Sequence, residues 1–163
     1  MRFLIKNIKM KRKIIYITII ILIVLSIFYI QSKQNIENIC GKYKQKEIQI
    51  NSNNIIVDIA DNDCKRELGL SNKTSIDDKG MLFIFENSGN YSFWMKYMNF
   101  PIDILWINDD FNIIGIEKNI ATSTYPETFG GEYFSKYILE LPAGFSDKNN
   151  IKVGDKIIYK KIN

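Results

Sequence analysis

The sequence predicts a mainly β domain of the α+β class, which starts near residue 47 and follows a single N-terminal transmembrane helix. Eight short segments are either continuously apolar or alternate between polar and apolar residues, and one further short segment suits a helix. No strand–helix–strand rhythm is present, which disfavours a parallel sheet. The pattern favours a mainly antiparallel sheet that curls into a partial barrel or sandwich.

The transmembrane helix is predicted from segment 14–30, which carries no charge from Ile14 to Ile30. About 17 apolar residues is the short end of what spans a bilayer as a helix. The preceding segment 1–13 contains only basic charges, so the positive-inside rule places it in the cytoplasm as a tail. We therefore expect a single-pass protein of the cell membrane whose C-terminal domain is extracytoplasmic.

A cleaved signal peptide is the alternative interpretation of this segment. Signal peptides have a shorter apolar region that is followed by small residues at the cleavage site, whereas Tyr29, Ile30 and Gln31 stand here. A lipoprotein would carry a small residue just before its modified cysteine, and Ile39 precedes Cys40. The sequence favours an uncleaved anchor.

Segment 31–46 is polar, lacks hydrophobic periodicity and is predicted to be a linker. A hairpin follows, because Asn51 to Asn54 provide turn residues between two strands. A short helix at 64–68 has candidate N-caps before it and Gly69 after it. The predicted strands are 47–50, 55–60, 81–85, 91–98, 102–108, 111–117, 137–141 and 156–161.

The densest apolar block is segment 93–107, which contains two Trp, two Met, two Phe and one Tyr. Pro101 has no backbone N–H, so it fits the start or the edge of a strand. The aromatic residues of segment 93–107 are more typical of a hydrophobic core than of a ligand platform. The residues concerned are Phe93, Trp94, Phe100 and Trp106.

The charge distribution and the absence of histidine exclude several functions. The formal net charge is +4, but residues 1–13 supply six basic side chains, which leaves 16 basic against 18 acidic residues elsewhere. The globular part therefore gives no support for nucleic-acid binding. Without histidine, catalysis by Ser–His–Asp or Cys–His groups and His-containing zinc sites are excluded. No metal or cofactor is expected.

Six short motifs occur in order between residues 48 and 159. Together they resemble the domain-of-unknown-function 192 family (DUF192) of small extracytoplasmic domains. The motifs are Arg66-x-x-Gly69-Leu70, Gly80-Met81-Leu82-Phe83, Phe93-Trp94-Met95-Lys96, Pro101-Ile102-Asp103-Ile104, Leu139-Glu140-Leu141-Pro142-Ala143-Gly144 and Gly154-Asp155. The resemblance implies a compact, β-rich, partly barrel-like domain, often behind a signal or an anchor, and no established enzymatic activity.

This chain departs from the family pattern at three positions. The family usually has Asn-Thr after the lysine, where Tyr97 and Met98 stand here, and often has Met where Ser71 follows Gly69 and Leu70. If these positions line a site, the site of this protein is altered.

Four charged residues fall within the family-like motifs, namely Arg66, Lys96, Asp103 and Glu140. A buried charge must be paired, so one interpretation is an ion pair from Asp103 to Arg66 or Lys96 that holds the helix on the sheet. The other is a pocket for an anionic or carbohydrate ligand, formed by these charges together with Trp94 and Tyr97. A glycosidase-like carboxylate pair of Asp103 and Glu140 would require the two groups to face each other.

The two cysteines, Cys40 and Cys64, both follow the predicted anchor. In an oxidising compartment they could form a disulfide between the linker and the helix start. Free thiols and pairing with another chain remain the alternatives.

Three functional hypotheses are compatible with these residues. The first is a membrane-tethered extracytoplasmic binding or accessory module that acts on an envelope protein, a glycan or another anionic ligand. The second is a cell-envelope enzyme that uses carboxylate or lysine chemistry, and the absence of histidine weakens it. The third is a structural or interaction domain whose ion pairs only hold the fold. Convergence of the charged residues on one concave pocket would favour binding or catalysis.

Overall fold

The computed structural model describes residues 2–159, with the side chains of residues 2–10 and 32–38 excluded. The chain forms two compact units, Met1–Lys42 and Tyr43–Asn163. The first contains a single helix, α1 (Arg2–Cys40). Within the described residues, Lys11–Gln31 is the one helical segment that is long and apolar enough to cross a membrane. A membrane anchor and a signal sequence both meet that criterion.

The helix extends further than the sequence predicted. Segment 31–46 was predicted to be a linker, but α1 continues to Cys40 and the first strand starts at Lys44. Glutamine, lysine and glutamate are good helix formers, so this polar segment can prolong a helix without any hydrophobic periodicity.

The second unit is the mainly β domain that the sequence predicted. Its first half contains β1 (Lys44–Ile50), β2 (Asn53–Ala60), α2 (Asp63–Leu68), β3 (Gly80–Asn90) and β4 (Phe93–Trp94). Its second half contains β5 (Ile102–Ile107), β6 (Ile113–Ile120), β7 (Thr128–Phe129), β8 (Phe134–Pro142), α3 (Phe145–Lys148) and β9 (Ile157–Tyr159). A 3-10 turn, Thr122–Thr124, follows β6.

Seven strands form one curled sheet in the order β6-β5-β8-β3-β2-β1-β9. The two outer strands meet at one end, where a bridge joins Asn112 to Lys156 and the Ile157 N–H donates to the Phe111 carbonyl at 2.9 Å. The strand pairs are antiparallel except β2 with β3, which are parallel. Thus the predicted partial barrel is confirmed.

Each face of the sheet has its own hydrophobic core. The core inside the curl includes Leu105, Leu139 and Leu141. The core on the outer face includes Phe83, Ile104 and Trp106, and it is covered by the small β4–β7 sheet and by the segments that flank it. Side chains alternate between faces along a strand, so each central strand contributes to both cores.

The largest difference from the predicted elements lies at 91–98, where one long strand was expected. Only Phe93–Trp94 is a strand, and the chain then turns through a left-handed residue, Tyr97 (φ 58°). The predicted strand 102–108 is confirmed as β5, in which every residue is buried. Segment 91–98 is instead held at the mouth of a cavity.

Asp103 is fully buried and fastens three backbone segments together. Its Oδ1 accepts hydrogen bonds from the Asn119 N–H at 2.8 Å and the Gly144 N–H at 3.1 Å, and its Oδ2 accepts from the Ser146 N–H at 2.8 Å. The predicted ion pair from Asp103 to Arg66 or Lys96 is wrong. Three backbone N–H donors stabilise the carboxylate in place of a cation.

We predict that Asp103→Asn lowers the free energy of unfolding by about 2–3 kcal/mol, because an amide NH₂ replaces an acceptor that faces a backbone N–H. The measurement is denaturant unfolding of the full chain in detergent. Asp78→Asn, at an exposed loop position, is the matched control and should change stability by less than about 0.5 kcal/mol. Equal effects of the two substitutions would contradict the role given to Asp103.

A second prediction concerns two glycines with similar backbone angles. A Cβ at Gly130 (φ 87°) would overlap with Cε2 of the buried Trp106, whereas a Cβ at Gly154 (φ 97°) meets nothing within 4 Å. Gly154→Ala should cost only the left-handed strain of about 1–2 kcal/mol. Gly130→Ala should lower the free energy of unfolding by the same strain and by a further amount of about 1–3 kcal/mol, because the added methyl group overpacks the core against Trp106. The same unfolding assay measures both variants. Equal losses would show that the Trp106 contact is not rigid.

Candidate functional site

One cavity of about 400 Å³ opens on the outer face of the sheet, between α2 and the segment that follows β4. Four of the five predicted ligand-binding residues line it, namely Arg66, Trp94, Lys96 and Glu140. The apolar part of its wall is formed by Leu68, Leu70, Phe83, Phe85, Phe93 and Met98. The structure therefore gathers into one concave site residues that are up to 74 positions apart in the chain.

Local helix chemistry positions Arg66. The Asn62 side chain caps α2 by accepting a hydrogen bond from the Lys65 N–H at 2.9 Å, and Gly69 ends the helix. The Arg66 guanidinium donates to the Ile84 carbonyl of β3 at 2.7 Å and to Asp63 Oδ1 at 2.6 Å. Arg66 thus joins α2 to the sheet and leaves its remaining N–H donors near the cavity.

Two exposed aromatic rings flank Lys96 at the cavity mouth. The Lys96 Nζ lies 5.1 Å from the ring centroid of Trp94 and 5.2 Å from that of Tyr97. The two residues are 52% and 66% exposed, respectively. Cation–π attraction holds the ammonium group between the rings. Within the described part of the chain, no carboxylate lies at ion-pair distance from Lys96.

The segment that carries Lys96 is irregular, but hydrogen bonds hold it in place. The Ser71 hydroxyl donates to the Lys96 carbonyl at 3.1 Å, and the Asn72 N–H donates to the Tyr97 carbonyl at 2.8 Å. Both donors belong to the loop after α2. The cavity mouth is therefore built from two loops that support each other.

Glu140 contributes the buried acid of the site. It is 5% exposed and lines the cavity, and its Oε2 has no hydrogen-bond partner among the described residues. Removal from water disfavours the carboxylate, and this burial raises the pKa of Glu140 to about 8. The side chain is therefore predominantly a neutral carboxylic acid at pH 7, which can donate one hydrogen bond.

The fifth predicted residue, Asp103, lies outside the cavity. In the register of β5 with β8, Asp103 pairs with Leu141 and Ile104 pairs with Glu140. Paired residues share a face of the sheet and their neighbours lie on the other, so the two carboxyl groups are on opposite faces. The glycosidase-like pair of Asp103 and Glu140 is therefore not formed.

Tyr97, which the sequence analysis placed in the pocket, lines the cavity, and Met98 and Ser71 line it without having been predicted. All three stand where the sequence departs from the family pattern, and that departure was the signal that could have identified Met98 and Ser71. Tyr125 had no such signal, and it packs against Trp94 at 5.9 Å between centroids and lines a neighbouring cavity of about 270 Å³. Trp94, expected in the core, is at the surface.

The cysteines lie at helix ends. Cys40 is the last residue of α1, and Cys64 is in the first turn of α2. Their pairing in a disulfide stays a prediction.

Several solved structures resemble the chain, including the following two. One is a proposed transcription regulator from Sinorhizobium meliloti 1021, with 27% identity, a TM-score of 0.69, and coverage of 72% of this chain and 95% of that chain. The other is a protein of unknown function from Novosphingobium aromaticivorans DSM 12444, with 23% identity, a TM-score of 0.62, and coverage of 71% and 84%. The second likeness shows the fold alone.

Sequence comparison gives the family. None of the curated proteins with which the sequence was compared matches it. The sequence profile of DUF192, described as "Uncharacterized ACR", matches residues 44–159, which is more than half of the chain. That range extends from the start of β1 to the end of β9 and includes every residue of the cavity. The chain therefore belongs to the DUF192 family.

Proposed function

We propose that this protein is a membrane-tethered, extracytoplasmic binding module for a small acidic ligand with an apolar ring face, and that acidic sugars fit best. The observation that carries the proposal is Lys96, a cation held between two exposed rings at the mouth of a cavity, with no carboxylate partner among the described residues. An unmatched cation at a concave, partly apolar site attracts an anion.

The charges of the cavity support an anionic ligand. Arg66 and Lys96 are the cations that line it, and Glu67 is an exposed acidic residue beside them. Arg66 is already paired with Asp63 of the same helix, so Lys96 is the lining cation without an ion pair among the described residues. Glu140 adds no charge while it is protonated. A carboxylate near Lys96 would form a charge-assisted contact, and such hydrogen bonds are roughly twice as strong as neutral ones.

The aromatic rings support a ligand with a flat apolar face. Trp94 and Tyr97 expose more than half of their surface, although burial of an aromatic side chain is favourable. A sugar ring presents C–H groups on one face and hydroxyl groups at its edge, so it can stack on such a ring and still reach the polar wall. An acidic sugar combines this face with a carboxylate.

The rival functions have less support from the described residues. Hydrolysis of a glycoside by Asp103 and Glu140 would need both carboxyl groups on one face of the sheet, and they are on opposite faces. A role in transcription is proposed for the S. meliloti protein. Nucleic-acid binding by the β domain would need a basic surface, whereas the excess of basic residues belongs to residues 1–13.

We predict that the full chain in detergent binds N-acetylmuramic acid and binds N-acetylglucosamine at least tenfold more weakly. The two sugars share the same ring and differ in the lactyl ether on O3, which carries the carboxylate, so the ratio reports the contribution of this acidic substituent. Isothermal titration calorimetry gives both dissociation constants, and the emission of the exposed Trp94 gives an independent signal. Equal affinity for the two sugars, or binding of neither, would contradict the proposal.

Substitution of Lys96 tests the residue that carries the proposal. Lys96→Met should weaken binding of N-acetylmuramic acid by tenfold or more, because loss of a hydrogen bond to a charged group costs about 1.5–3 kcal/mol. Lys152→Met is the matched control, since this lysine is exposed and lines neither cavity. The control should bind as the unaltered protein does.

A separate prediction concerns the extracytoplasmic placement. External protease added to intact spheroplasts should remove an epitope tag at the C-terminus and leave an N-terminal tag intact, because segment 1–13 is expected in the cytoplasm. A cytoplasmic marker protein serves as the control for cell integrity. Protection of the C-terminal tag would contradict the proposed orientation.

A further inference from the structure

Glu140 is the one cavity residue whose polar atom is buried and unused. It lies on β8 in the centre of the sheet, with Met81 of β3 and Ile104 of β5 as its register partners on the two sides. Both neighbours are buried and apolar, so they offer no hydrogen bond. Its Oε2 has no partner among the described residues.

A buried polar group without a partner is unfavourable, and native structures contain few of them. An apolar residue at this position would remove the desolvation cost of the acid. Instead the acid stands in the wall of the cavity, at the same site as Lys96 and Arg66. The unused group therefore points to a contact that is completed by the ligand.

We propose that Glu140 takes part in the complex as a neutral acid and donates its O–H to the ligand carboxylate, which makes binding dependent on a proton held by the protein. This inference rests on the proposed function, because it specifies how the acidic ligand is recognised. An O–H donated to a carboxylate forms a short, charge-assisted hydrogen bond. The site would thus select a ligand that presents an unprotonated oxygen deep in the cavity.

The other titratable groups around Glu140 come from three segments. Those that line the cavity are Arg66 and Glu67 of α2 and Tyr91, Lys96 and Tyr97 of the segment after β3. Tyr43, before β1, is also near: burial first, and then the charges of Asp58 and Glu140, raise the pKa of its phenol to about 12. The cavity that contains the acid is therefore lined by two cations and one exposed carboxylate, and one of the cations, Arg66, is paired with Asp63.

The direction of the pH effect follows from the raised pKa of Glu140. Below about pH 8 the acid is protonated and can donate, and as the pH rises through this value the donor is lost and a second negative charge faces the ligand. The carboxylate of the ligand stays ionised over this range. Affinity should therefore be full near pH 6.5 and decline above pH 8, by roughly tenfold or more at pH 9.5.

The test compares unaltered protein, Glu140→Gln and Glu140→Ala, each as the full chain in detergent, with N-acetylmuramic acid as the probe. Glutamine keeps an N–H donor and similar volume but cannot titrate. Glu140→Gln should bind within a fewfold of unaltered protein at pH 6.5 and keep that affinity at pH 9.5. Glu140→Ala should bind at least tenfold more weakly at pH 6.5.

A second measurement needs no variant. Calorimetric titration of unaltered protein at pH 8.5, in two buffers with different ionisation enthalpies, should reveal net proton uptake on binding. Binding with no proton uptake and no loss of affinity by pH 9.5 would overturn the role of Glu140 and leave the binding function standing. A pH dependence of binding that persists in Glu140→Gln would also overturn the role of Glu140 and leave the binding function standing. Failure of unaltered protein to bind N-acetylmuramic acid at any pH would overturn both the role of Glu140 and the proposed binding function.

Discussion

The antiparallel register between β5 and β8 is the constraint on which the rest of the domain depends. Because Ile104 pairs with Glu140 and Asp103 pairs with Leu141, one acid faces the outer cavity and the other faces the core inside the curl. A slip of one residue would exchange the faces and bury both acids in the wrong surroundings. The same pairing thus separates a structural carboxylate from a candidate ligand-binding one.

The two acids show how the surroundings determine what a buried carboxyl group does. Asp103 receives hydrogen bonds from three backbone N–H groups and ties β6 and the N-terminal end of α3 to β5. Glu140 receives none at its Oε2, and burial keeps it protonated at neutral pH. The satisfied acid stabilises the fold, while the unsatisfied one leaves hydrogen-bonding capacity at the cavity.

The candidate site combines a rigid floor with a mouth that is built from irregular segments. Glu140 and Phe83 belong to central strands, so the sheet fixes their positions. Lys96 and Tyr97 belong to an irregular segment that hydrogen bonds from Ser71 and Asn72 hold in place. Ser71 and Tyr97 depart from the family pattern, whereas Trp94 and Lys96 belong to a family-like motif, so the mouth combines residues of both kinds.

The sequence by itself determined the apolar N-terminal helix, most strands of the β domain and its family, because these depend on local hydrophobic patterns and short motifs. It also named Arg66, Trp94, Lys96 and Glu140 as candidates, and these four line one cavity. However, it grouped Asp103 with them, and it expected the Trp94 ring to be more typical of the core. Only the tertiary structure decided these two points. The register of β5 with β8 sets the face of the sheet on which Asp103 lies. The left-handed backbone of Tyr97 turns the chain out of the strand that was predicted for segment 91–98. Register and turns depend on contacts between segments that are distant in sequence, and no local pattern records them.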